Sequence, residues 1–206
     1  MSSNPGQLPD FSYQAMLDVY LSMKSLRAED VDSLIENTNK IRRLKIHGLN
    51  WLPQDQAFSE FRDLSVEIHF KAMAAAYGIP FHGIEDFYRR HCALGTVPKS
   101  ILNKTTFNEP PENPGKLPIG MLLIELGLIS RETLIRGLGI QQLIVSETGV
   151  RPFLALIFSQ IGLLSAHDIY HALAMQVGIK YNGLEQVDEI VRSLRNRAPV
   201  QLKPAS

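Results

Sequence analysis

The sequence predicts a mostly α-helical protein: two tandem copies of a small helical-hairpin repeat domain joined by a Pro-rich linker. Three observations carry that expectation. First, residues 58–87 and 158–187 align without a gap at an offset of one hundred. Phe58-Ser59, Leu64-Ser65, Ala72, Ala74, Gly78-Ile79, Gly83 and Glu85 return as Phe158-Ser159, Leu164-Ser165, Ala172, Ala174, Gly178-Ile179, Gly183 and Glu185. Several exchanges between the identities keep chemical type, as in Phe70 with Tyr170, Met73 with Leu173, Phe81 with Tyr181 and Ile84 with Leu184. Second, the C-terminal half holds a finer repeat of thirty-five residues. Third, prolines cluster between the two copies, where a fixed φ and a missing donor interrupt regular structure. Self-similarity at a fixed period sets an architecture before any single residue is considered.

Taken in order, residues 1–11 are Ser-, Asn-, Gly- and Pro-containing and predict a disordered tail. Residues 12–92 form the degenerate N-terminal copy. Its apolar residues have helical spacing at Met16, Leu17, Tyr20 and Leu21 and again at Val31, Leu34 and Ile35. A polar connection containing Trp51 is expected across 45–56, before the repeat element begins. Residues 93–116, with Pro98, Pro110, Pro111, Pro114 and Gly115, predict the linker. Residues 117–191 form the C-terminal copy, and 192–206 a polar tail.

Within the C-terminal copy, Ile119-Gly120-Met121-Leu122-Leu123, Gly127-Leu128-Ile129-Ser130, Leu134, Leu138 and Gln141 are answered by a second motif. That motif is Leu154-Ala155-Leu156-Ile157-Phe158, Gly162-Leu163-Leu164-Ser165, Ile169, Leu173 and Gln176. Each reads as a short helix, a glycine turn and a second helix. Gly127 and Gly162 stand where a helix C-terminus wants a left-handed residue. Ser130 and Ser165 stand at the following N-caps, with Asp168 placed to complete a capping box. Leu123, Leu134, Leu138, Phe158, Ile169 and Leu173 are the expected interior, with Leu134–Leu138 and Ile169–Leu173 sharing a face at i, i+4. Hairpins of this kind cannot bury their apolar faces alone, so the copies should pack on each other.

Composition narrows the function. The 206 residues carry 21 basic and 21 acidic side chains, a formal net charge of zero, so no global field favours nucleic acid or an anionic membrane. The basic stretches at 40–47 and 192–203 lack interleaved stacking aromatics, which argues for solvated edges. Cys92 is the only cysteine, which excludes an internal disulfide and suits a reducing compartment. With no apolar signal core and no long apolar run, the expectation is a cytoplasmic protein without direct membrane insertion.

The paired motifs resemble the N-terminal domain of bacterial type II secretion and type IV pilus assembly ATPases, some members of which bind cyclic di-GMP. The family pattern is Arg-Leu-Gly, two residues, Leu, three residues, Gly, one residue, Ile, then Leu and a terminal Gln. Residues 117–187 match it well; residues 12–91 match as a degenerate copy, with Lys24 and Arg62 at the turn-glycine positions. The resemblance implies a non-catalytic interaction or regulatory module in a secretion, pilus or surface-polysaccharide system. Its implied partner is a cytoplasmic component of a membrane-associated machine. The alternative it implies is a cyclic di-GMP sensor. Lys116, Ile119, Gly120, Leu123, Gly127, Gln141, Arg151, Leu154, Phe158, Gly162 and Gln176 are then the ligand-binding candidates.

Departures from the pattern bear on that alternative. The opening Arg of each motif is replaced by Pro118 and Phe153, and the second motif glycine by Ala155. Losing two charged planar donors is expected to remove roughly 1.5–3 kcal/mol each from binding an anion. Lys116 and Arg151, each two residues before the expected Arg, are the candidate replacements. No cofactor is implied beyond that ligand.

Other chemistry finds less support in the sequence. His167 and His171 have the i, i+4 spacing of a helical zinc pair, but the neighbouring Asp168 is explained by capping, and no third ligand follows. His91-Cys92 has no partner at ligand spacing. A phosphate loop ending in Lys-Ser or Lys-Thr is missing, so the family's ATPase motor is not expected here, and no nucleophile–base pair stands out. The expectation is that the protein is not an enzyme.

Overall fold

Caps and left-handed glycines place about half of the helix boundaries. In the computed structural model, residues 12–23, 26–49, 51, 53–61, 64–93 and 107–196 are described; the expectations for 1–11, Lys24, Arg62 and Pro98 lie outside them. All regular structure among these residues is helical. The N-terminal half supplies α1 (Tyr13–Ser22), α2 (Ala28–Arg43), α3 (Pro53–Glu60), α4 (Val66–Ala76) and α5 (Ile84–Ala93). The C-terminal half supplies α6 (Ile119–Glu125), α7 (Arg131–Thr148), α8 (Leu154–Gln160), α9 (Ala166–Val177) and α10 (Val187–Arg195). Single 3₁₀ turns sit at Pro114–Lys116 and Leu184–Gln186.

Ser130, Ser65 and Ser165 each occupy an N-cap, their hydroxyls accepting from Thr133, Glu67 and Asp168 N–H. Asp168 returns a bond to the Ser165 N–H at 2.9 Å, which closes the capping box its spacing predicts. Gly127 and Gly162 follow α6 and α8 at φ of +72° and +74°. Behind them, Leu128 N–H donates to Leu123 C=O and Leu163 N–H to Phe158 C=O, both at 2.9 Å. At the offset of one hundred, Ile79 N–H donates to Ala74 C=O at 2.8 Å and Ile179 N–H to Ala174 C=O at 2.9 Å.

Four apolar clusters fill the interior. One lies among α1–α4 around Met16, Tyr20, Leu34 and Ala72. Another lies among α6, α8 and α9 around Leu122, Leu123, Phe158 and Ile169. The other two span both halves. Val66 and Ile84 meet Tyr170, Ala174, Leu184, Val187 and Ile190, while Ile41 and Trp51 meet Ile140, Ile144 and Ile157.

Three expectations need adjusting. Leu138 is not interior: it is 47% exposed. A Cβ on Gly137 would overlap the Phe158 ring, so Gly137 is the residue that turns inward, and its neighbour on the helix turns out. Leu134 and Leu173 are half-buried, whereas Leu123, Phe158 and Ile169 are buried. The polar connection across 45–56 is interrupted by α3, which starts at Pro53, and Trp51 within it is buried. Its Nε1–H donates to Gln56 Oε1 at 3.0 Å, and its carbonyl accepts from Arg42 Nε at 3.0 Å. Finally, residues 107–117 lie against the C-terminal helices: Phe107 packs beside α9, and Asn108 N–H donates to Leu126 C=O at 3.1 Å.

Candidate functional site

Each motif opens on a residue with extended backbone, Pro118 before α6 and Phe153 before α8, with no side-chain capping bond. These are the positions where the resemblance places an arginine. Phe153 is 39% exposed and its ring meets Phe58 edge-on at 5.4 Å between centroids. It therefore bridges to α3 of the N-terminal half and is only partly available to anything else. Lys116, at the end of its 3₁₀ turn, and Arg151 are both exposed.

The second residue of α6, Gly120, is buried. A Cβ there would lie 2.6 Å from Leu134 Cδ1 and 3.4 Å from Leu154 Cδ2. The missing side chain makes room for two leucines of this chain, so the close approach that glycine permits is used internally. Ala155, its counterpart in the second motif, is buried as well. Gly127 is exposed, but a Cβ on it would sit 2.7 Å from Asn108 Nδ2, which itself donates to Glu125 C=O at 3.1 Å. Gly162 and Ile119 are half-buried, Ile119 packing on the α6–α8–α9 cluster. Leu123, Leu154 and Phe158 belong to that cluster.

The two terminal glutamines behave as a pair. Gln141 Nε2 donates to Pro152 C=O at 2.7 Å, and Gln176 Nε2 donates to Leu117 C=O at 2.6 Å. Pro152 and Leu117 each stand just before a motif opening, so each motif's last residue ties down the other motif's first turn. This is an exchange with approximate two-fold character. A shallow depression of about 240 Å³ beside it is lined by Glu112, Asn113, Pro114, Gly115, Lys116, Met175, Gln176 and Gly178. Of the candidate ligand residues it gathers Lys116 and Gln176, with a carboxylate nearby.

A second exchange joins the halves. Glu85 N–H donates to Glu185 Oε1 and Leu184 N–H donates to Glu85 Oε2, both at 3.0 Å. Gly83 and Gly183 make room for these carboxylates at φ of +133° and +123°; a Cβ on Gly83 would lie 2.6 Å from Glu185 Oε1. Residues 88 and 188 continue the pattern. Asp188 accepts from the Ser65 hydroxyl and the Val66 N–H, both at 2.7 Å, and the Tyr88 hydroxyl accepts from Ala166 N–H at 3.2 Å. Each half thus caps the central helix of the other. The identity of Glu85 with Glu185 was visible in the sequence, but the crossed contact depends on how the halves meet.

His167, His171 and His69 are engaged in the fold. His167 Nδ1 lies 2.8 Å from the Tyr181 hydroxyl and Nε2 3.2 Å from Glu85 Oε1, so both ring nitrogens face protein partners. His171 stacks on Tyr181 at 5.1 Å and meets Phe107 edge-on at 4.4 Å; burial lowers its pKa. His69 is buried against the Tyr20 hydroxyl at 2.8 Å, and desolvation pushes its pKa down to about 3. Among the described residues no cluster of three or more His, Cys, Asp or Glu is placed to hold a metal, and no helix is long and apolar enough to cross a membrane. Comparison of the chain with protein-family models, curated proteins and solved structures finds no match.

Proposed function

We propose that this chain is a non-catalytic docking and regulatory module of a bacterial secretion, pilus or surface-polysaccharide system, engaging a cytoplasmic component of the membrane machine. In this reading residues 12–92 and 117–191 are two copies of one domain. The inward use of the motifs carries the docking reading. Gly120 is filled by Leu134 and Leu154, and Gln141 and Gln176 are held by backbone carbonyls. The residues the resemblance would assign to a nucleotide instead brace a scaffold. Met121 and the exposed part of Phe153, both beside the motif openings, then contribute apolar contact to a protein partner. Matching caps at Ser65 and Ser165, matching left-handed glycines at 78 and 178, and the crossed glutamates support the two-copy reading.

The second reading, a cyclic di-GMP sensor, is favoured by one observation: Lys116 and Arg151 are both exposed at equivalent places before the two motifs. Calorimetric and thermal-shift titration with cyclic di-GMP separates the two. The docking reading expects no heat and no shift. A sensor at a hundredfold excess of ligand over its dissociation constant gains about 2.7 kcal/mol, and that gain should vanish when Lys116 and Arg151 are both changed to Glu. For docking itself, in-cell cross-linking should recover a cytoplasmic domain of a membrane-assembled machine. The complex should reassemble from purified parts and weaken with Phe153→Asp. Reassembly that is indifferent to nucleotide supports docking, whereas failure to reassemble counts against it.

A further inference from the structure

We propose that the outer face of α7 pairs two copies of this chain through an antiparallel two-fold helix contact crossing at Gly139. This goes beyond the docking reading and does not depend on it. Arg131, Ile135, Gly139, Leu143 and Glu147 recur every fourth residue, so they form one ridge of α7, and all five are exposed. Ile135 is 63% and Leu143 49% exposed, with Leu138 at 47% beside them. Three large apolar side chains thus stand exposed on one helix face.

Gly139 is what singles out a helix as the occupant. A glycine in a helix interior weakens it relative to alanine, and a packing reason is expected. Gly137 has one in the Phe158 ring, whereas a Cβ on Gly139 would meet nothing within 4 Å. Its small size is therefore not needed by the described part of this molecule. At the crossing point of two helices packed by their i±4 ridges, it lets the backbones approach closely.

The occupant follows from the order of the ridge. About Gly139 the sequence Arg–Ile–Gly–Leu–Glu is self-complementary when reversed. An antiparallel two-fold sets Ile135 against Leu143 of the second copy and Gly139 against its equivalent. Arg131 then meets Glu147 of the second copy, twice over. Neither charge has an ion-pair partner among the described residues. An isologous contact needs this kind of self-complementarity, because every contact is made twice. The equivalent face of α9, thirty-five residues on, is already covered: Tyr170 and Ala174 are buried against Val187 and Ile190 of α10. The same motif face is filled once within the chain and left open once.

Sedimentation equilibrium of the full chain tests this directly. The expected result is a dimer that Ile135→Asp/Leu143→Asp weakens by at least about tenfold, since both changes desolvate a charge at the centre of the contact. Both positions are exposed, so the fold should survive, as circular dichroism would verify. Arg131→Glu should weaken the dimer several-fold and Arg131→Glu/Glu147→Arg should restore it. In a Cys92→Ser background, Gly139→Cys should form a disulfide-linked dimer under mild oxidation, because the paired backbones fall within bonding range. A monomer at every concentration, or a dimer indifferent to the aspartates, overturns the proposal. So does a monomer whose residue-139 thiol becomes reactive only after residues 197–206 are deleted, which would assign the face to the chain's own tail.

Discussion

Helices α7 and α9 share one motif at a separation of thirty-five residues, yet they bury different faces. In α9, Ala172 and Ala174 are both fully buried, the first toward α6 and α8 and the second toward α10. In α7 the equivalent residues are Gly137, buried under Phe158, and Gly139, which faces outward. Ile135 and Leu138 are exposed where Tyr170 is buried and Leu173 half-buried. The motif fixes the inner face of each helix, and neighbours decide the outer one. α10 supplies Val187 and Ile190 over α9, and among the described residues nothing corresponds to it over α7. Helix α4 extends the comparison: it follows α9 at the offset of one hundred but places His69 where α9 places Ile169.

The largest expected effect lies on the face the motif fixes. Phe158→Ala removes a fully buried ring that fills the Gly137 notch and should cost about 3–5 kcal/mol in denaturant unfolding. A loss below about 1 kcal/mol would mean the notch is not packed as described.

Next comes the difference between α4 and α9. Burial holds the His69 imidazole neutral, with a pKa near 3 against an ordinary 6.5. Between those values the unfolded chain binds the extra proton. The contribution of His69 to stability is therefore full above about pH 6.5 and falls as pH drops toward about 3. The His69→Ile variant, which gives α4 the residue of α9, should show a flatter acid limb, by up to a few kcal/mol across that window. An unchanged slope would remove His69 from the account of acid sensitivity.

A smaller effect tests the crossed caps. Asp188→Ala leaves the Ser65 hydroxyl and Val66 N–H without their acceptor, and should cost about 1–2 kcal/mol. The smallest belongs to the open face: Leu138→Ala should change stability by less than about 0.5 kcal/mol, measured at concentrations too low for self-association.

Much of the helical skeleton was legible in the sequence because it rests on local chemistry. Ser130 and Ser165 cap from their own positions, and Gly127 and Gly162 adopt the left-handed turns their places demand. What was not legible depends on contacts distant in sequence. Leu138 has the spacing of a core residue, and only the fit of Phe158 onto Gly137 turns it outward. Trp51 sits in a polar stretch, and its burial follows from Ile41, Ile144 and Ile157 closing over it. At the candidate site the motif positions could be named. Their inward role could not, because it comes from Leu134, Leu154 and Asn108 filling the space beside the glycines and from carbonyls of the opposite motif receiving the glutamines.

The claim that α7 turns one motif glycine inward and the other outward is tested most directly by melting two single variants side by side at low concentration. Gly137→Ala should lower stability by about 1–3 kcal/mol, because the added methyl overlaps the Phe158 ring. Gly139→Ala should raise it by about 0.5–1 kcal/mol, because the methyl meets open space and the helix gains propensity. Opposite signs two residues apart on one helix are the predicted result. Two variants that shift the same way, or a destabilised Gly139→Ala beside a tolerated Gly137→Ala, would contradict it.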